Sequence, residues 1–151
     1  MLPPLCAQVE ARAGLTVAGD ISRPLVLAAE DLAKMPRASV SYSEHGPPVK
    51  YEGVLLYEIL KRAGAPLDDQ LRGKALASYV LAEARDGYQV VYALAEFDPA
   101  YNDRQILVAD TANGKPLESS QAPFRIVVPT EKKAARSIRM LERITVVILR
   151  K

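Results

Sequence analysis

The sequence predicts an α+β fold, mainly β, in a single domain, and three observations carry that prediction. Short segments of alternating apolar and polar residues recur along the chain at strand length. Asp86-Gly87 stands between two of them as a hairpin turn. Residues 54–64, VLLYEILKRAG, carry the clearest helical period. Strands and helices do not alternate, which argues against a doubly wound parallel sheet. A chain of 151 residues suits one domain with a sizeable core.

In order along the chain, residues 1–13 match none of these patterns. They read as an N-terminal tail or as the remnant of a secretory signal, with LCA as a loose small-residue cleavage site. A periplasmic or secreted location is the matching expectation, a cytoplasmic one the alternative. The domain proper is assigned to residues 14–151. LTVAG at 15–19 alternates as a strand and ends in glycine. LAAEDLAKMP at 27–36 holds a short helix stopped before Pro36. ASVSYS at 38–43 puts Val40 and Tyr42 on one face.

Within 54–64, Leu56, Ile59, Leu60 and Ala63 form an apolar stripe, Glu58 can pair with Arg62, and Gly64 stands at a C-terminal cap position. Residues 76–94 give the hairpin, AEFDP a single helical turn, and QILVAD and PFRIVVP two strands around a loop with an Asn113-Gly114 turn. ERITVVILR closes the chain as a strand, and QILVAD, PFRIVVP and ITVVIL are expected to share one sheet.

Charge is uneven. The whole chain carries 20 basic and 18 acidic residues, yet from Arg125 onward eight basic residues face only two acidic ones. If residues 131–143 are helical, Lys132, Arg136, Arg139 and Arg143 share one face, with Arg125 on the preceding strand. Guanidinium groups suit phosphate because they donate in pairs along a plane. The same pattern also describes an amphipathic segment with its charged face in water. The basic stretch is short and lacks interleaved aromatics, so nucleic acid is not an expected partner. One cysteine, Cys6, and one histidine, His45, exclude multi-cysteine or multi-histidine metal sites. No apolar run approaches the roughly 18 residues of a membrane-crossing helix.

The ordered motifs YEGVLL, DGY, ILVAD, NGKPL, APFRIVVP and ARSIRML resemble the molybdopterin-binding domain of the sulfite oxidase family of oxidoreductases. The likeness spans roughly residues 14–149 and implies an α+β domain that binds a molybdopterin cofactor. It transfers pterin-phosphate contacts to Arg125, Arg136, Ser137 and Arg139, and Arg125 with at least two of the other three should converge on one concave site. The family's metal-binding cysteine has no counterpart: SYSEHGPP places Ser43, Glu44 and His45 near its position. These are oxygen and imidazole donors in place of a soft thiolate, so conventional molybdenum catalysis is not expected. His45 reads either as a pocket-lining residue or as a solvated loop histidine. Asp86 and Tyr88 read either as ligand contacts or as a turn and a packing aromatic.

Two functions stay open. One is a redox protein holding a molybdopterin-type cofactor or similar anion, with a redox or signalling partner protein. The other is a non-catalytic periplasmic module reusing the pocket to bind a small anionic ligand or to dock onto a protein.

Overall fold

The computed structural model describes residues 14–149; the expectations for the N-terminal tail and for Cys6 lie outside them. The described chain is ten strands and two short α-helices. The strands are β1 (Leu15–Gly19), β2 (Leu25–Leu27), β3 (Ala38–Tyr42), β4 (Val49–Leu55), β5 (Ser78–Ala84), β6 (Gln89–Ala93), β7 (Leu107–Ala112), β8 (Lys115–Pro116), β9 (Arg125–Val127) and β10 (Leu141–Ile148). The helices are α1 (Ala29–Ala33) and α2 (Leu56–Arg62).

The strands form two sheets. The first runs β2-β1-β10-β5-β6, with β1 and β10 parallel and the other pairs antiparallel. The second runs β3-β4-β7-β8, with β9 also paired to β7. QILVAD and PFRIVVP therefore share a sheet as expected, but ITVVIL does not. It lies between β1 and β5, whose apolar residues Val17, Val80 and Ala82 join Ile144 and Val146 in the main core. Alternation marks a strand but does not specify which distant strand it pairs with.

Helix α2 buries Leu56, Ile59 and Leu60 against that core, with Ala63 beside them. Gly64 adopts φ 84°, its N–H donates to Lys61 O, and the Ala65 N–H donates to Leu60 O. This double bond closes the helix in the manner that favours glycine. The expected Glu58–Arg62 pair is not among the ion pairs of the described residues; Lys61 lies 3.9 Å from Asp68. Gly53 permits the tight β4–β7 contact, because a Cβ there would stand 1.9 Å from Val108 O.

The second sheet buries apolar residues on both faces, and this positions the site. Along β7, Val108 faces the main core while Leu107 and Ala109 face a second cluster with Val40, Tyr42, Tyr51, Leu117 and Val127. Strand β9 alternates likewise: Ile126 enters the main core and Val127 the second cluster. Arg125 is fully buried beside Tyr51 of that second cluster.

Residues 131–143 are not a helix. They contain one 3-10 turn, Ala134–Arg136, after which the chain runs beside β9. The Ile126 N–H donates to Ile138 O, the Leu141 N–H to Phe124 O, and the Val128 N–H to Ser137 Oγ. Pairing with β9 takes the backbone groups that a helix would have bonded internally, so tertiary structure overrides the spacing of the cations.

Candidate functional site

The Arg125 guanidinium is the centre of the arrangement. Its Nη1 donates to Glu44 Oε1 at 2.8 Å, Tyr51 Oη at 3.2 Å and Gln121 Oε1 at 3.3 Å, and its Nη2 donates to Ser137 O at 2.8 Å. The Tyr51 ring also lies 5.3 Å from the guanidinium carbon. Removing such a group from water costs several kcal/mol unless acceptors surround it. Here four do, although Nε has no partner among the protein groups described.

Glu44 is shared. Its second oxygen accepts from Arg139 Nη2 at 2.9 Å, so one carboxylate bridges two guanidinium groups. Burial pushes the Glu44 carboxyl upward, but the Arg125 hydrogen bond and the charges of Arg125 and Arg139 outweigh it and hold it below its ordinary value. Arg139 is aimed by the backbone after it. Met140 adopts φ 53°, its N–H donates to Gln121 O, and its carbonyl accepts from the Arg85 N–H.

These groups border an open cleft of about 360 Å³, lined in part by Glu44, Asp86, Tyr88, Ser120, Ser137 and Arg139. Gly87 at φ 93° and the Tyr88 N–H bond to Asp86 Oδ1 set the hairpin turn on one wall. Tyr88 is 49% exposed, and its hydroxyl donates to Ala135 O at 2.7 Å. The cleft thus has an anchored tyrosine on one element and a half-exposed guanidinium on another.

Of the sequence-predicted contacts, Arg125, Ser137 and Arg139 come together around Glu44 and the cleft. Arg136 goes elsewhere. Its guanidinium bonds Glu96 and Glu131, donates to Val91 O at 2.8 Å, and lies 4.7 Å from the Tyr92 ring centre. Tyr92 Oη in turn donates to Arg136 O. Arg104 joins the same network through Glu96 at 3.0 Å. His45 is exposed at the bend of residues 44–47. Glu44 was visible in the sequence only as a residue near the missing cysteine. Its partners lie 81 and 95 positions away, a separation no local pattern signals.

A molybdenum-bearing pterin fits this arrangement only in part. The anionic organic portion finds Arg139, the exposed Ser120 and Tyr88. The metal does not find a donor set: Glu44 is turned into two guanidinium groups, and among the described residues no three His, Cys, Asp or Glu side chains could hold a metal ion.

Comparison with known proteins gives the family. Residues 47–149 match the family described as the oxidoreductase molybdopterin binding domain. No curated protein matches the chain. Among solved structures, the sulfane dehydrogenase SoxCD from Paracoccus pantotrophus superposes with a TM-score of 0.69 at 20% identity. The match covers 91% of this chain and 38% of that one, and shows a shared fold. The chain belongs to the family built on the oxidoreductase molybdopterin binding domain.

Proposed function

We propose that this chain is a binding member of its family, which takes a flat, phosphate-bearing ligand of the pterin type in the cleft between Tyr88 and Arg139. The observation that carries this reading is the pair of guanidinium groups, Arg125 and Arg139, sharing a single carboxylate at the edge of a cleft with an aromatic wall. Within this network two cations meet one anion, and the other carboxylate lining the cleft, Asp86, stands on the hairpin turn and accepts from the Tyr88 N–H. Tyr88 offers a ring face for a planar heterocycle, and Arg139 offers paired donors for a phosphate. When bound, the pterin would supply a chelating, redox-capable ligand. The chain's own residues bind and orient it, and none of the described ones replaces the thiolate.

Sulfite turnover by the isolated chain is therefore not part of this reading. The test is to produce the protein alongside intact cofactor-synthesis machinery, and to quantify pterin, molybdenum and sulfite oxidation with an artificial acceptor. Bound pterin that Arg139→Ala abolishes supports the reading. Stoichiometric molybdenum with turnover that survives Cys6→Ser contradicts it.

A protein partner belongs to the same reading. The chain spans 38% of the SoxCD chain it resembles, and Val26 and Val91 are exposed on the two edge strands of the first sheet. Apolar side chains there suit a docked neighbour. Crosslinking in the native host tests this, with loss of the crosslinked species in Val91→Lys as the expected result.

A further inference from the structure

We infer that Glu44 is an internal competitor for the anion site: it occupies the two guanidinium groups when ligand is absent and is displaced by a tetrahedral dianion. The inference rests on the binding reading above and deepens it by naming the residue that sets which anions are accepted.

The geometry supports displacement in three ways. First, Glu44 satisfies Arg125 and Arg139 at 2.8 and 2.9 Å, each with a different oxygen, as a bidentate anionic ligand would. Second, Arg125 is fully buried, so no ligand reaches it while Glu44 is in place. Departure of the carboxylate frees Arg139 and removes the one charged acceptor on Arg125 Nη1, which keeps Tyr51 Oη and Gln121 Oε1, so that an incoming anion takes the place of Glu44 between the two guanidinium groups. Third, Glu44 is carried on a loop whose tip is unpacked: a Cβ at Gly46 would meet no atom within 4 Å. The hydrogen bond from Ser43 Oγ to Gly46 O, at 2.5 Å, holds this turn together within the loop itself.

Competition of this kind selects by charge. A phosphate monoester brings about −1.5 to −2 charge at neutral pH and three acceptor oxygens. A monoanionic carboxylate brings no more than Glu44 already supplies, and Glu44 has the advantage of being tethered. The site should accept phosphate and sulfate groups and reject simple carboxylates. If the cradle is open in only about a tenth of molecules, apparent affinity is lowered about tenfold, and removing the competitor restores it.

The experiment is calorimetric titration at low ionic strength with inorganic phosphate, sulfate and acetate, on the wild-type chain, Glu44→Gln, Glu44→Asp and Arg139→Ala. Glutamine keeps an oxygen for Arg125 and loses the charge that competes. Aspartate keeps the charge on a stem too short to bridge both arginines. Thermal unfolding first verifies that each variant folds, and Glu44→Asp carries the test if Glu44→Gln does not. The expected result is phosphate and sulfate binding tightened about tenfold in Glu44→Gln and less in Glu44→Asp, no acetate binding by the wild type, and loss of binding in Arg139→Ala. Wild-type phosphate affinity that falls in Arg139→Ala but stays the same in both Glu44 variants overturns the competitor role and leaves the site standing. Affinity indifferent to Arg139 as well overturns the site, and the competitor with it.

Discussion

Two arginine clusters grow out of the same cation-rich stretch, and they differ in how their charges balance. Around Arg136, two guanidinium groups, Arg136 and Arg104, meet two carboxylates, Glu96 and Glu131. Around Arg125, two guanidinium groups, Arg125 and Arg139, meet one carboxylate, Glu44. The first network is closed, with Tyr92 beneath the Arg136 guanidinium and the Val91 carbonyl beside it. It fastens the 131–136 segment to β6 and to the turn that follows it. The second is open to a cleft and pairs two guanidinium groups with one carboxylate, while Asp86 stands apart from it on the hairpin turn of the cleft wall. A balanced network of this sort holds structure, and an unbalanced one at a cleft edge can hold a ligand.

The largest expected effect tests how far the two clusters differ as structural elements. Arg125→Met should destabilise the fold by about 3 kcal/mol, because Ser137 O, Tyr51 Oη and Gln121 Oε1 lose their shared donor in a buried place. Arg136→Ala should cost about 1–2 kcal/mol, since that side chain is partly exposed and its carboxylates can turn to water. Denaturant unfolding measures both. Equal losses would erase the distinction between a buried and a surface-bound guanidinium.

Acid sharpens the comparison. Arg125 and Arg139 hold the Glu44 carboxyl, and Arg136 the Glu96 carboxyl, below the ordinary value of 4.5 despite the opposing push of burial. A depressed folded value means that the unfolded chain takes up protons first as pH falls. The stabilisation is complete above the ordinary carboxylate range and is lost as pH drops through the folded values. Unfolding free energy against pH should therefore fall below about pH 4.5. Glu44→Gln should flatten that limb in part, while the share due to Glu96 remains. A limb unchanged in Glu44→Gln would mean that Glu44 carries no pH-linked stability.

Local chemistry was legible in the sequence and distant pairing was not. The Asp86-Gly87 turn, the apolar stripe of α2 and its Gly64 cap are each written within a few residues, and each appears in the structure. The fold class followed, because it needs only the kinds and order of elements. The 131–143 segment misled because its cations repeat at helical spacing while its backbone partners are on β9, brought close only by the fold. ITVVIL shows the same thing: alternation identified the strand, but its neighbours β1 and β5 come from far along the chain. For the site, family resemblance pointed to Arg125, Arg136, Ser137 and Arg139, of which Arg136 lies in the other cluster. The carboxylate that joins two of them came into view only in three dimensions.

The most direct test of charge imbalance as the mark of the ligand site is phosphate binding compared between Arg139→Ala and Arg136→Ala. Both variants remove one guanidinium group, and Arg139→Ala should change stability by no more than about 0.5 kcal/mol because Arg139 is half-exposed and Glu44 keeps Arg125 as its partner. Titration calorimetry at low salt should show binding lost in Arg139→Ala and kept within twofold of the wild type in Arg136→Ala. The retained binding should weaken as salt screens the exposed guanidinium. Equal loss in both variants, or loss in Arg136→Ala alone, would contradict the assignment of the ligand site to the unbalanced cluster.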